Sequence, residues 1–313
     1  MSKGGPMRLI PSSVLALAPA LALAVALPMA AQADPVTVET ATGPVEVSGA
    51  TPPLVVYDVA AIDTLEALGV EMDGVPEKLF LPYLADVAEA AAPVGTLFEP
   101  DFEALARMAP GLIIAGGRSS PQREALSAFA PTIDMTIWGM DVTAQAKARL
   151  AAYGALFDRE AEAEALAQDL DARIAEAKAA VAGKGRGLIL LTNGGKISAY
   201  GRNSRFGWLH EELGLPEAYP EVKAETHGEA VSFEFIAQID PDWILVVDRG
   251  AAIDAGGEAA RATLDNPLVA RTTAAKQDQI LYLDAGALYI GGGGVQSLTI
   301  ILDQIIAGFG AKG

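Results

Sequence analysis

Residues 102–118 read FEALARMAPGLIIAGGR and residues 233–249 read FEFIAQIDPDWILVVDR, and the two stretches align over seventeen positions without a gap. Phe102 matches Phe233, Glu103 matches Glu234, Ala106 matches Ala237, Pro110 matches Pro241, Ile113 matches Ile244 and Arg118 matches Arg249. In each copy an acidic residue opens a short helix and a proline ends it. An apolar run too short for a helix then forms a buried parallel strand, and an arginine stands where that strand stops. Ligands of open α/β sheets bind beyond the carboxyl ends of the strands. The duplication therefore predicts two α/β lobes, each offering one arginine to a shared ligand.

Ahead of the first copy, residues 1–33 have the pattern of a secretory signal. Lys3 and Arg8 make a basic start, Leu9 to Ala30 is apolar and alanine-rich, and Ala31-Gln32-Ala33 is a small-residue cleavage site before Asp34. Cleavage after Ala33 removes Lys3 and Arg8, the only charges in the segment, and takes the formal charge from −18 to −20. So acidic an exported chain is a poor partner for nucleic acid or anionic lipid. The chain has no cysteine, which excludes a disulfide scaffold, a thiolate metal site, a cysteine nucleophile and a lipidated cysteine after the signal. A free periplasmic protein of about 280 residues, enough for two domains, is the expectation.

The mature chain divides into residues 34–157, an N-terminal lobe; 158–183, a helix between lobes; and 184–313, a C-terminal lobe. Residues 36–50 alternate around Thr42-Gly43-Pro44 as an antiparallel hairpin. Leu54 to Tyr57 is the first core strand, Ile62 to Leu68 a helix stopped at Gly69, and Thr132 to Ile137 a further strand. No glycine or proline falls between Asp158 and Ala182, so one helix of about 23 residues spans roughly 35 Å, long enough to join two lobes. Strand, helix and strand are expected to alternate in both halves, with strands at Leu188 to Leu191, Ile197 to Tyr200 and Ile280 to Leu283 and a last helix over Val295 to Phe309.

Arg118, Arg205 and Arg249 each follow a short apolar or loop segment in a chain where acids outnumber bases 40 to 22. Three clustered guanidinium groups repel one another, so a cleft holding them is suited to a multiply charged anion. Arg202 is a fourth candidate. Of the two histidines, His210 lies at helical spacing and reads as structural, whereas His227 lies in a polar loop and is the better ligand candidate. Tyr289 precedes Gly291 to Gly294, which read as a flexible connection because no lysine follows them as a phosphate loop requires. Glu103 and Glu234 share one offset on separate lobes; they read either as helix-start carboxylates or as docking points for a basic, two-subunit partner.

Several segments together resemble a family. Val94 to Pro100 (VGTLFEP), Leu191 to Gly201 (LTNGGKISAYG), Ser204 to Gly207 (SRFG), Thr226-His227-Gly228 with Val231 to Glu234, and Thr263 to Asn266 (TLDN) are similar to the periplasmic binding proteins of ferric catecholate siderophore transporters, in the enterobactin and petrobactin-binding branch. The likeness covers nearly all of residues 37–308. It implies two Rossmann-like α/β lobes joined by a single long helix, a shallow cleft between them, and a monomeric carrier with no intrinsic cofactor that delivers Fe(III)-siderophore to an ABC importer permease. It implies that Arg118, Arg205 and Arg249 face the catecholate oxygens, and that His227 and Tyr289 complete the iron shell when the chelator leaves sites empty. Glu103 and Glu234 would dock onto permease arginines. Hard Fe(III) prefers oxygen and accepts imidazole, which suits that pair. A haem or corrinoid carrier of the same fold stays open, since His and Tyr also serve as axial ligands. So does a periplasmic hydrolase with His227 as base, although no Gly-x-Ser-x-Gly elbow is present. A zinc or manganese carrier needs more converging histidines than two.

Overall fold

The two copies of the repeat fold alike down to their caps. Helices Phe102–Met108 and Phe233–Ile239 are each seven residues long. Asp101 and Ser232, at matching positions, accept the orphan backbone N–H groups of their first turns, and Ala109 and Asp240 end both helices in the left-handed conformation. Each then delivers a buried parallel strand, Leu112–Ala115 and Trp243–Asp248.

The computed structural model describes residues 5, 35–48, 51–223, 227–254 and 259–311. The expected signal segment, apart from Gly5, and its cleavage site lie outside those residues. A hairpin, β1 (Val36–Thr40) and β2 (Gly43–Val47), comes first, turning at Ala41-Thr42, just ahead of the expected Gly43. The N-terminal lobe is a sheet of β3 (Leu54–Val56), β4 (Gly74–Val75), β5 (Ala92–Pro93), β6 (Leu112–Ala115) and β7 (Thr132–Asp134), all parallel, in the order β5-β4-β3-β6-β7. The C-terminal lobe is a second sheet of β8 (Gly187–Asn193), β9 (Lys196–Tyr200), β10 (Glu229–Ala230), β11 (Trp243–Asp248) and β12 (Ile280–Tyr282), in the order β10-β9-β8-β11-β12.

Here the expected alternation fails in one place. β8 and β9 are an antiparallel hairpin, and β10 adds antiparallel to β9, so only β8, β11 and β12 run parallel. The hairpin turns on Gly194 and Gly195, both at positive φ, 53° and 78°. A two-residue turn of that kind matches the twist of the flanking strands and selects glycine.

Between the sheets run helix Val142–Phe157 and, after a left-handed break at Asp158, helix Glu160–Val181 of 22 residues. The latter spans about 33 Å at 1.5 Å per residue. It is not a bare strut: the closing helix Val295–Gly310 packs along it, and Trp243 of β11 stacks on Phe309 with ring centroids 3.8 Å apart. The closing helix also reaches the N-terminal lobe. Asp63, fully buried on helix Val59–Ala67, accepts from the backbone N–H groups of Gln296 (2.8 Å) and Ser297 (2.9 Å) and from the Tyr83 hydroxyl (2.6 Å). The glycine run therefore ends on a helix start already satisfied by an internal carboxylate. Asp63→Ala is expected to lower the unfolding free energy by about 2–4 kcal/mol, from the lost cap and the buried donors it strands. Urea unfolding reads this; a loss under about 1 kcal/mol would mean that water replaces the carboxylate.

Candidate ligand-binding site

The strand that places Arg118 and the strand that places Arg249 belong to different sheets, yet both side chains reach one residue. Arg118, three residues past β6, donates to the carbonyl oxygens of Tyr289 (2.8 Å) and Ile290 (3.4 Å). Arg249, directly after β11, donates from Nε to the Tyr289 hydroxyl (3.2 Å) and from a terminal nitrogen to Asn193 Oδ1 (3.4 Å). Arg205, in the loop after β9, donates to the Tyr289 carbonyl and lies with its Cζ 4.1 Å from the centre of the Tyr289 ring. Tyr289 itself sits in a π-helical turn, Gly286–Ile290. Such turns are rare and gather at functional sites. This one ends with carbonyls that have run out of helical partners, and the arginines take them.

The electrostatics follow from that crowding. Burial alone raises the pKa of Tyr289, but the Arg249 hydrogen bond and the charges of Arg205, Arg249 and Arg118 outweigh it and hold the phenol below the ordinary tyrosine value. The other six tyrosines go the opposite way: burial pushes up Tyr57, Tyr83, Tyr153, Tyr200 and Tyr282, and a hydrogen bond to Glu221 pushes up Tyr219. Burial also pulls Arg118 and Arg205 down, helped by the charge of Arg249 on the first and of Arg118 on the second. Asp58, behind Arg118, is driven up to about 6 by burial against the pull of the Ala61 N–H and of Arg118. Titrated by absorbance of the phenolate, one tyrosine of the seven is expected to ionise ahead of the rest. Tyr289→Phe should remove that first step and Arg249→Met should delay it; an unchanged first step in Tyr289→Phe would assign it elsewhere.

A cavity of about 330 Å³ opens over the cluster, lined by Leu191, Asn193, Lys196, Ser198, Tyr200, Arg205, His227, Arg249 and Tyr289. That is the size range of small-molecule sites. The hairpin explains half of this wall. In its register Asn193 faces Lys196 and Leu191 faces Ser198, so Lys196, Ser198 and Tyr200, two apart, present one face of β9 to the cavity. Lys196, Asn193 and Tyr200 carried no role in the sequence reading. The period-2 alternation after the Gly-Gly turn was the signal that marks them.

Of the residues singled out in the sequence, Arg205, Arg249, His227 and Tyr289 line the cavity, and Arg118 joins them through Tyr289 from the other lobe. Arg202 does not join. It is held by Glu217 (2.7 Å) and Glu211 (2.9 Å), which neutralise it away from the cluster. His210 is buried and bonds through Nδ1 to the Leu215 carbonyl (2.8 Å), a structural histidine as expected. Glu103 and Glu234 stand exposed in the first turns of the matched helices; the Glu103 side chain is 92% exposed, with Arg107 no nearer than 4.0 Å.

Two parallel-containing sheets, arginines at the carboxyl ends of corresponding strands and a cationic cavity between helix and hairpin define a two-lobed binding protein. The chain belongs to the periplasmic binding protein family, whose model matches residues 54–287. It is similar to the petrobactin-binding protein YclQ of Bacillus subtilis, 34% identical over 258 residues that cover 80% of each chain. The crystal structure of YclQ superposes with a TM-score of 0.81 at 33% identity, covering 88% of this chain and 99% of that one. A TroA-like periplasmic binding protein from Xylanimonas cellulosilytica is 40% identical with a TM-score of 0.80, over 89% of this chain and 98% of that one. The periplasmic catecholate-siderophore binding protein VctP from Vibrio cholerae is 31% identical with a TM-score of 0.80, over 89% of this chain and all of VctP.

Proposed function

We propose that this protein captures an anionic ferric catecholate siderophore in the periplasm and delivers it to an ABC importer, acting as a carrier without catalysis. The observation that carries this reading is the convergence of Arg118, Arg205 and Arg249 on Tyr289, the one tyrosine pushed toward phenolate. A tris-catecholate ferric complex is trianionic, and the guanidinium N–H groups not spent on Tyr289 supply charge-assisted hydrogen bonds to its oxygens. Lys196 adds a cation at the rim. A chelator that leaves iron sites empty offers them to the Tyr289 phenolate and the His227 imidazole, oxygen first, as hard Fe(III) prefers. The petrobactin and catecholate specificities in the names of YclQ and VctP support the same cargo class.

In this reading the signal segment is removed after Ala33, the mature chain acts as a monomer, and Glu103 and Glu234 dock onto two basic patches of the permease dimer. The test is a fluorescence titration of residues 34–313 with a ferric bis-catecholate, a ferric hydroxamate and haemin. Saturable quenching by the catecholate alone is the expected result. A response to haemin alone would replace the cargo while keeping the carrier, and silence to all three would contradict the reading.

A further inference from the structure

We propose that Trp138 is a specificity-determining residue of the cleft: its ring is the N-terminal lobe's stacking wall for an aromatic ring of the bound chelate. This rests on the ferric catecholate reading above and adds to it the residue that reads the chelator's rings.

Trp138 lies in the segment that leaves the carboxyl end of β7, beside the Arg118 segment that leaves β6, and so at the ligand edge of the sheet. Its side chain faces Arg205 of the opposite lobe, with the Arg205 Cζ 5.8 Å from the ring centre. A small cavity of about 50 Å³, lined by Trp138, Arg205 and Gly293 among others, adjoins the main one through Arg205. The chain nevertheless leaves Trp138 51% exposed, along with Met140 beside it at 51%, while the other two tryptophans, Trp208 and Trp243, are 4% and 1% exposed. An indole half in water beside a guanidinium cluster forgoes burial that a ligand ring can supply.

The wall is held in place. Gln145 donates to the Trp138 carbonyl (2.9 Å) and the Met140 carbonyl (2.7 Å) and accepts from the Trp138 N–H (3.3 Å). Ile137, next in the chain, rests on Gly293, where an added Cβ would come within 2.9 Å of its Cδ1. Part of the glycine run thus serves as the seat of this segment. A pinned backbone carrying an exposed ring is preorganised, so little ordering entropy is lost when a planar ligand stacks on it. The cations select negative charge, and Trp138 selects aromatic chelators over aliphatic ones of equal charge.

Acrylamide quenching with the gallium(III) tris-catecholate, a closed-shell stand-in for iron, tests this on the full mature chain. Without ligand, quenching is expected to come chiefly from Trp138, and Trp138→Phe should abolish most of it. At saturation Trp138 should become protected, and Trp138→Ala should weaken binding about 5- to 100-fold, the range for loss of one stacked ring, with Trp138→Phe retaining most of the affinity. A residue that only positions Arg205 would not become protected. A Trp138 still open to acrylamide in the saturated complex, or an alanine variant within twofold of wild type, overturns the inference. Failure of the wild-type chain to bind the chelate at all sinks the carrier reading itself, a separate outcome.

Discussion

Replacing Arg205 by methionine is expected to raise the Kd for a ferric tris-catecholate about 10- to 150-fold, the equivalent of losing about 1.5–3 kcal/mol of charge-assisted hydrogen bonding. Arg205 is the arginine best placed to show it. It lines the cavity, packs on the Tyr289 ring, and holds the Tyr289 carbonyl together with Arg118. Methionine keeps the apolar stem and removes the charge, so packing is largely spared. Arg202→Met supplies the comparison: its guanidinium is spent on Glu211 and Glu217 and does not line the cavity, so its loss should leave affinity within about twofold. Isothermal titration of both variants separates a charge read by the ligand from a charge that merely lies nearby. Equal effects of the two substitutions would remove Arg205 from the site.

Tyr289→Phe is expected to act selectively. A tetradentate ferric bis-catecholate, which leaves iron sites for protein, should lose about 10- to 100-fold, at least the loss usual for disturbing a metal's surroundings. A hexadentate tris-catecholate should lose less than about threefold, because its iron is already enclosed and only the weak Arg249 contact to the hydroxyl disappears. The phenylalanine variant keeps the ring that Arg205 packs on and leaves both backbone carbonyls in place. The charge-transfer band of a tyrosinate–iron bond supplies an optical signature that should vanish with the hydroxyl. Equal losses for the two chelators would show that the phenol touches no iron.

The parts of this protein that were legible in sequence are those written locally. The paired stretches 102–118 and 233–249 announced their helices, caps and strands because each signal lies within seventeen residues, and the structure reproduces them down to the left-handed ends at Ala109 and Asp240. The long helix was equally plain from the absence of breakers between Asp158 and Ala182. The hairpin at Gly194-Gly195 was masked because Leu188 to Leu191 reads as a buried parallel strand, which β8 is on its other side, toward β11. One strand served both pairings, and only the turn residues distinguished them.

Convergence is a different kind of information. Arg118 and Tyr289 stand 171 residues apart, and Arg249 meets the phenol only through the π-helical turn, whose widened backbone no periodicity foretells. Arg202 and Arg205 look alike in sequence, three apart in one polar loop. What separates them is that Glu211 and Glu217 fold back onto the first and leave the second to the cleft. Trp138, too, is unremarked in sequence; its exposure and its distance to Arg205 give it a role.

The most direct test is an anomalous difference map from crystals of the mature protein grown with a ferric bis-catecholate. A single iron peak is expected in the cavity over Tyr289, within bonding distance of its hydroxyl oxygen, with catecholate oxygens facing Arg205 and Arg249. An iron peak outside that cavity, or a chelate seated with no guanidinium against its oxygens, would contradict it.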